Sequence, residues 1–145
     1  MPPNDYALNE IQDMLTYARH ALDILARHEP PQSAPSMEAN LAMERALEIV
    51  GEAARRVTPE IHKMYPQIPW HRIVGMRNIL AHDYGSIEPK IVWQTVRHDL
   101  PNLVQNLEVI LAEGAVDVPQ ALRYCGNRMA ELIHRGGRCV PEVEA

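Results

Sequence analysis

The chain has 145 residues, of which 46 % are hydrophobic and 5 % aromatic, with no Phe and a formal net charge of −5. This length and composition predict one folded globular domain and argue against a disordered chain. The negative charge argues against a general nucleic-acid binder, and a core of Leu, Ile, Val, Ala and Met favours helices over a β-sandwich.

Apolar residues at steps of three and four predict a first helix from about Tyr6 to His28. Its apolar stripe is Leu8, Ile11, Met14 or Leu15, Ala18, Leu22 and Leu25. The proline-containing stretch from Glu29 to Pro35 predicts a loop.

A second helix is predicted after Ser36, which we expect to be its N-cap. Its apolar stripe is Met37, Leu41, Leu47, Val50, Ala54 and Val57. A short third helix should follow, with Thr58 as N-cap and Pro59 at its first position.

The fourth predicted helix begins at Pro69 or Trp70 and contains Arg77. Its apolar positions are Ile73, Met76, Ile79 and Leu80. We expect Gly85 to end this helix within a residue or two of His82.

The fifth helix should start between Ser86 and Pro89, with Ile91, Val92, Val96 and Leu100 on its apolar side. Pro101 is expected to kink it or to begin a new helix that continues through Leu111. Residues 112–118 are predicted as a linker, and residues 119–135 as a last helix before a flexible tail.

These elements predict an all-α fold, an antiparallel bundle of four or five helices with an additional C-terminal helix. We place the bundle in residues 1–113 and the C-terminal extension in residues 114–145. The sequence shows no signal peptide and no apolar stretch that could span a bilayer, so we expect a cytoplasmic protein with no membrane partner. Cys125 and Cys139 have no metal-ligand spacing and are expected to be reduced thiols.

Basic residues are concentrated in the segment from Arg55 to His82, which has five Lys or Arg residues against one Glu and therefore a charge of +4. The five are Arg55, Arg56, Lys63, Arg72 and Arg77. This segment is either a solvated basic face or a local site for a polyanion.

The same segment contains Arg77-Asn78-Ile79-Leu80-Ala81-His82-Asp83-Tyr84. An arginine can hold a phosphate in a forked grip, and a histidine can transfer protons near neutral pH. An Arg-x4-His spacing alone often arises by chance, and the residues then have structural interpretations. Arg77 would be a solvated surface residue, His82 would favour the negative end of the helix dipole, and Tyr84 would pack in a turn.

The surrounding sequence makes the motif more informative. The stretches from Leu47 to Arg56, from Tyr65 to Trp70 and from Gly75 to Tyr84, with Val92-Trp93 and Asp99-Leu100-Pro101, closely resemble the HepT-like toxins of the HEPN superfamily. The resemblance is dense from about residue 40 to residue 111.

The signature of the HepT-like family, Arg-x4-His-x-Tyr, matches this chain at Arg77, His82 and Tyr84. The resemblance implies a helical bundle that forms a homodimer with the two motifs facing each other. It implies a metal-independent endoribonuclease, without a cofactor, that is the toxin of a toxin–antitoxin module. It also implies a partner, an MntA-like nucleotidyltransferase that silences the toxin by transferring AMP to Tyr84.

The residues support this chemistry independently of the resemblance. His82 can act as base or acid, Arg77 can hold the phosphate, and Asn78 can donate to phosphate, ribose or base. Asp83 either orients His82 or caps the helix end. One histidine cannot conveniently make both proton transfers, and side chains five positions apart leave a helix about 140° apart, so a second copy would help to complete the site.

Other candidate site residues have structural interpretations. Glu48 and Glu52 lie four positions apart, as metal ligands can, but no nearby His completes a set, so we expect a solvated face and no metal. Trp70 and Trp93 are expected in the core.

The competing function is a non-catalytic subunit that binds a nucleotide or a nucleotidyltransferase partner. A third possibility is a bundle that retains the motif only for dimer packing.

Overall fold

The computed structural model describes residues 5–28, 34–83 and 85–114. They form five α-helices and no strand, which confirms the predicted all-α class. The helices are α1 (Asp5–Arg27), α2 (Met37–Arg56), α3 (Pro59–Met64), α4 (Trp70–His82) and α5 (Pro89–Gly114). None of these described helices is long and apolar enough to cross a membrane.

Helix α2 packs against both α1 and α4, and α1 also packs against α5. The α1–α5 pair is antiparallel, because Leu8 lies against Gly114 while Arg19 Nη2 donates to Glu108 Oε1 at 2.7 Å. The largest fully buried side chains are Ile11, Met14, Met43, Leu47, Val50, Ile68, Val96, Leu107 and Ile110. They form one core between these helices, and their removal from water is its main stabilising term.

Several helix boundaries agree with the sequence prediction. Ser36 caps α2, because its Oγ accepts a hydrogen bond from the backbone N–H of Ala39 at 3.1 Å. Thr58 and Pro59 begin α3 as expected, although the Thr58 side chain makes no capping hydrogen bond. Helix α4 ends at His82, where the backbone N–H of the next residue donates to Ile79 at 2.8 Å.

Of the two outcomes predicted for Pro101, a kink or a new helix, the new helix is excluded, because α5 continues through this residue to Gly114. Leu100 and Leu103 on either side of the proline are buried, and this packing maintains one continuous helix. Residues 112–114 are therefore helical and do not belong to a linker. The predicted last helix and both cysteines lie outside the described residues.

The predicted apolar stripes were partly wrong. Met37 and Leu41 are 70 % and 57 % exposed, whereas Ala39, Met43 and Ala46 of the same helix are buried. The small alanines of α2 let the neighbouring helices approach closely. A prediction based on the large apolar residues alone therefore chose the wrong face at the start of this helix. Both tryptophans lie in the core as predicted; their ring N–H groups donate to the Tyr65 carbonyl at 3.0 Å and to Asn40 Oδ1 at 2.8 Å.

Candidate functional site

Helices α2 and α4 pack tightly against each other at Gly51. A Cβ atom there would lie 2.3 Å from Arg77 Cβ and 2.9 Å from the Ile73 carbonyl oxygen. Both distances are too short for any side chain, so only glycine allows this crossing. The crossing places the first motif residue, Arg77, directly against α2.

Arg77 is held from two directions. Its Nε lies 2.9 Å from Glu52 Oε2, and each of these side chains is only 24 % exposed. The Nε–H does not point at that oxygen, so the contact is an ion pair without hydrogen-bond geometry. On the other side, Nη1 donates to Asn78 Oδ1 at 3.0 Å. Asn78 was expected to hydrogen-bond a substrate, and the structure shows that its side chain contacts Arg77.

Glu52 is the centre of a cluster of arginines. Arg55 donates to its carboxylate through Nη2 at 2.7 Å and through Nε at 3.2 Å, and Arg56 Nε lies 3.3 Å away. The hydrogen bonds from Arg55, with the charges of Arg55, Arg77 and Arg56, lower the pKa of Glu52 to about 2. Glu52 is therefore ionised at neutral pH. The expected solvated face was wrong for this residue, because its carboxylate is half-buried and ion-paired.

His82 and Asp83 are exposed at the end of α4. The Asp83 carbonyl accepts from the N–H and the Oγ of Ser86, both at 3.0 Å, so this residue ends the helix through its backbone. Because α4 is helical as far as His82, the Arg77 and His82 side chains leave it about 140° apart. One copy of α4 therefore does not direct both side chains to one face. Tyr84 lies outside the described residues.

A cavity of about 230 Å³ adjoins Arg77 between α1, α2 and α4. Its charged lining residues are Glu10, Asp13, Arg45, Glu48, Glu52, Arg56 and Arg77. Glu10 is only 6 % exposed, and burial raises its pKa and that of Asp13 above their ordinary values. Among the described residues, no group of three or more His, Cys, Asp and Glu side chains is placed to hold a metal ion.

A second cavity, of about 390 Å³, is an apolar groove between α2, α4 and the start of α5. Ile79 and Ile91, which the sequence placed on the apolar sides of their helices, line this groove and are 54 % and 57 % exposed. Gly75 also lines it, and a Cβ atom there would meet nothing within 4 Å. The groove is thus an apolar surface next to the helix that contains the motif.

Sequence reasoning missed Gly51, Glu52, Glu10 and Asp13 as residues of this site. A glycine inside a helix costs about 1 kcal/mol relative to alanine, so Gly51 was a detectable signal. Glu10 stands among apolar positions of α1, which was a second signal. The Glu52–Arg77 pair had none, because the two residues are distant in the chain.

The fold and site define a class of protein: a helical bundle with an arginine fixed at a helix crossing and a histidine exposed at the end of the same helix. The chain belongs to the family described as Ribonuclease HepT-like, which it matches over residues 14–110. This match confirms the family that the sequence motifs indicated.

Three relatives illustrate the match. A candidate RNase of Methanocaldococcus jannaschii is 39 % identical over 48 % of this chain and 63 % of the relative. A second candidate RNase of that organism is 27 % identical over 71 % of this chain and 85 % of its own. The "Probable ribonuclease HepT" of Thermococcus cleftensis is 35 % identical over 49 % and 64 %. The chain thus spans slightly less than two thirds of the first and third relatives. No solved structure matches it.

Proposed function

We propose that this protein is a metal-independent endoribonuclease that acts as the toxin of a toxin–antitoxin module. One observation supports this most strongly. Within a Ribonuclease HepT-like bundle, Arg77 is fixed by Glu52 and Asn78 on the helix that ends with the exposed His82. This arrangement provides a phosphate-binding cation and a proton-transfer group from one element.

The chemistry follows from these two groups. His82 removes the proton from a ribose 2′-hydroxyl, and the 2′-oxygen attacks the adjacent phosphorus. Arg77 stabilises the extra negative charge of the phosphorane. The bond from phosphorus to the 5′-oxygen breaks, and that oxygen takes a proton from a histidinium. The products are a 2′,3′-cyclic phosphate and a 5′-hydroxyl, and DNA is excluded because it has no 2′-hydroxyl.

A homodimer completes this site in the proposal. The two proton transfers are easier with two histidines, and α4 of one copy directs Arg77 and His82 to different faces. The apolar groove beside α4, with the exposed Ile79, is a suitable surface for a second copy. A two-fold axis there would bring each motif near its twin.

We also propose that the toxin is inhibited by covalent modification. An MntA-like nucleotidyltransferase would transfer AMP to Tyr84, which follows His82 by two positions. The added phosphate and adenosine would then occupy the neighbourhood of Arg77 and block RNA by charge and bulk.

The proposal is tested by incubating the purified protein with labelled single-stranded RNA in EDTA. We expect cleavage in the parent, and a loss of about a hundredfold or more in Arg77→Ala and His82→Ala. Arg27→Ala and His98→Ala are the matched controls, because both residues are exposed and neither lines the cavity beside Arg77. Cleavage that survives in His82→Ala, or that stops with EDTA, would contradict the mechanism. A parent that binds a nucleotidyltransferase but cleaves no RNA would indicate the non-catalytic subunit instead.

A further inference from the structure

We infer that Glu52 is a positioning residue, which holds the Arg77 guanidinium through Nε so that its terminal nitrogens face the scissile phosphate. This inference rests on the proposed function. It assigns to α2 a part of a site whose motif lies entirely on α4 and the residues that follow it.

The geometry of the guanidinium supports this role. Arginine can grip a phosphate either with Nε and one terminal nitrogen or with both terminal nitrogens. In this protein Nε is buried and lies 2.9 Å from Glu52 Oε2, so a phosphate cannot reach the Nε edge even though the Nε–H makes no hydrogen bond to that oxygen. Nη1 is turned toward Asn78 Oδ1 at 3.0 Å. The edge formed by the two terminal nitrogens is therefore the one that can meet a substrate.

Glu52 is itself held in place by the helix crossing and by two further arginines. Glu52 follows Gly51, where the α2 backbone lies so close to α4 that a Cβ atom would overlap Arg77. The distance between the two helices is thus fixed by backbone contact next to the ion pair. Arg55 and Arg56 hold the same carboxylate from the solvent side at 2.7 Å and 3.3 Å. A carboxylate fixed in this way can keep Arg77 in one rotamer before RNA arrives.

Glu52 could instead be a purely structural ion pair between α2 and α4. The two roles predict different effects of removing the Glu52 charge. A structural pair affects folding and leaves the turnover of folded protein unaltered. A positioning residue affects turnover through Arg77 and through no other group.

The first test is Glu52→Gln, which keeps the size and an acceptor oxygen but removes the charge. With a labelled single-stranded RNA that contains all sixteen dinucleotide steps, we expect kcat to fall about tenfold or more and KM to change less than about twofold. Glu108→Gln is the control, because it removes an ion pair of similar length, with Arg19 at 2.7 Å, away from Arg77. In an Arg77→Ala background, Glu52→Gln should have no further effect. Additive losses would overturn the inference.

The second test does not depend on activity. The order parameter of the Arg77 Nε–Hε group, assigned by its absence in Arg77→Lys, should be about 0.85 in the parent and below about 0.6 in Glu52→Gln. An unchanged order parameter would overturn the inference. If Glu52→Gln does not fold, Glu52→Asp replaces it, because the shorter side chain cannot approach Nε as closely. A parent that cleaves no RNA would refute the proposed function, and the order parameter would still decide whether Glu52 holds Arg77.

Discussion

Arg77 and His82 belong to the same helix but have opposite surroundings. Arg77 is ion-paired with Glu52 and hydrogen-bonded to Asn78, whereas His82 is exposed at the helix end. A phosphate-binding group benefits from being fixed, because less freedom is lost when the substrate binds. In the proposed homodimer each histidine would exchange a proton with one substrate oxygen, and exposure at the helix end leaves His82 accessible for that.

Tyr84 is the residue whose modification we expect to stop the enzyme. Co-expression with an MntA-like nucleotidyltransferase should add AMP to the parent chain, as measured by mass spectrometry of the intact protein. Tyr84→Phe should gain no AMP and should remain toxic, because it has no hydroxyl to attack the nucleotide. Tyr17→Phe, which changes a half-buried tyrosine on α1, is the control and should be modified and silenced like the parent. If Tyr84→Phe is silenced as fully as the parent, inhibition must come from binding alone.

The sequence allowed only part of this site to be predicted. Arg77, Asn78, His82 and Asp83 lie close together in the chain, so their spacing was visible. Glu52 contacts Arg77 only because two helices cross, and no local pattern encodes that crossing. The same reason explains why a carboxylate expected to face solvent is ion-paired to three arginines.

The crossing of α2 and α4 gives a prediction for the two helices as elements. Gly51→Ala should force α2 and α4 apart, because the new methyl group would overlap Arg77 and the Ile73 carbonyl. We expect the free energy of unfolding to fall by about 1–3 kcal/mol in urea denaturation, and RNA cleavage to fall with it. Gly75→Ala is the control for stability alone, because Gly75 lines the groove of the proposed dimer. A Cβ atom there meets nothing within 4 Å, so the variant should raise helix stability by about 0.4–1 kcal/mol. Equal losses in the two variants would contradict the crossing.

The ends of the helices were easier to predict from the sequence than the sides of the helices that are buried. Ser36 and Pro59 act through local backbone chemistry, which neighbouring residues determine. Pro101 also acts locally, but burial of the residues around it outweighs its preference, and α5 remains one helix. The exposure of Ile79 and Ile91 depends on which helices surround them, so a periodic pattern on one helix could not reveal it.

The whole molecule is expected to be a homodimer through the apolar groove. Light scattering at micromolar protein concentration should give twice the mass of one chain. Ile79→Glu should convert the dimer to a monomer and abolish cleavage, because it buries an unpaired charge in the interface. Val109→Glu, at an exposed position on α5 that does not line the groove, should remain dimeric and active. A parent protein that is monomeric under these conditions would count strongly against a shared site.

Because Gly114 packs on Leu8, the start of α1 and the end of α5 lie at the same end of the bundle. Leu8 is two residues before Glu10, which lines the cavity beside Arg77. An affinity tag or carrier domain fused directly to either helix end would therefore stand beside that cavity and crowd a long RNA. The other end of α1, at Arg27, is about 30 Å away along the helix. Insertion there is the better choice for a fluorescent module, which would report on the protein without obstructing its substrate.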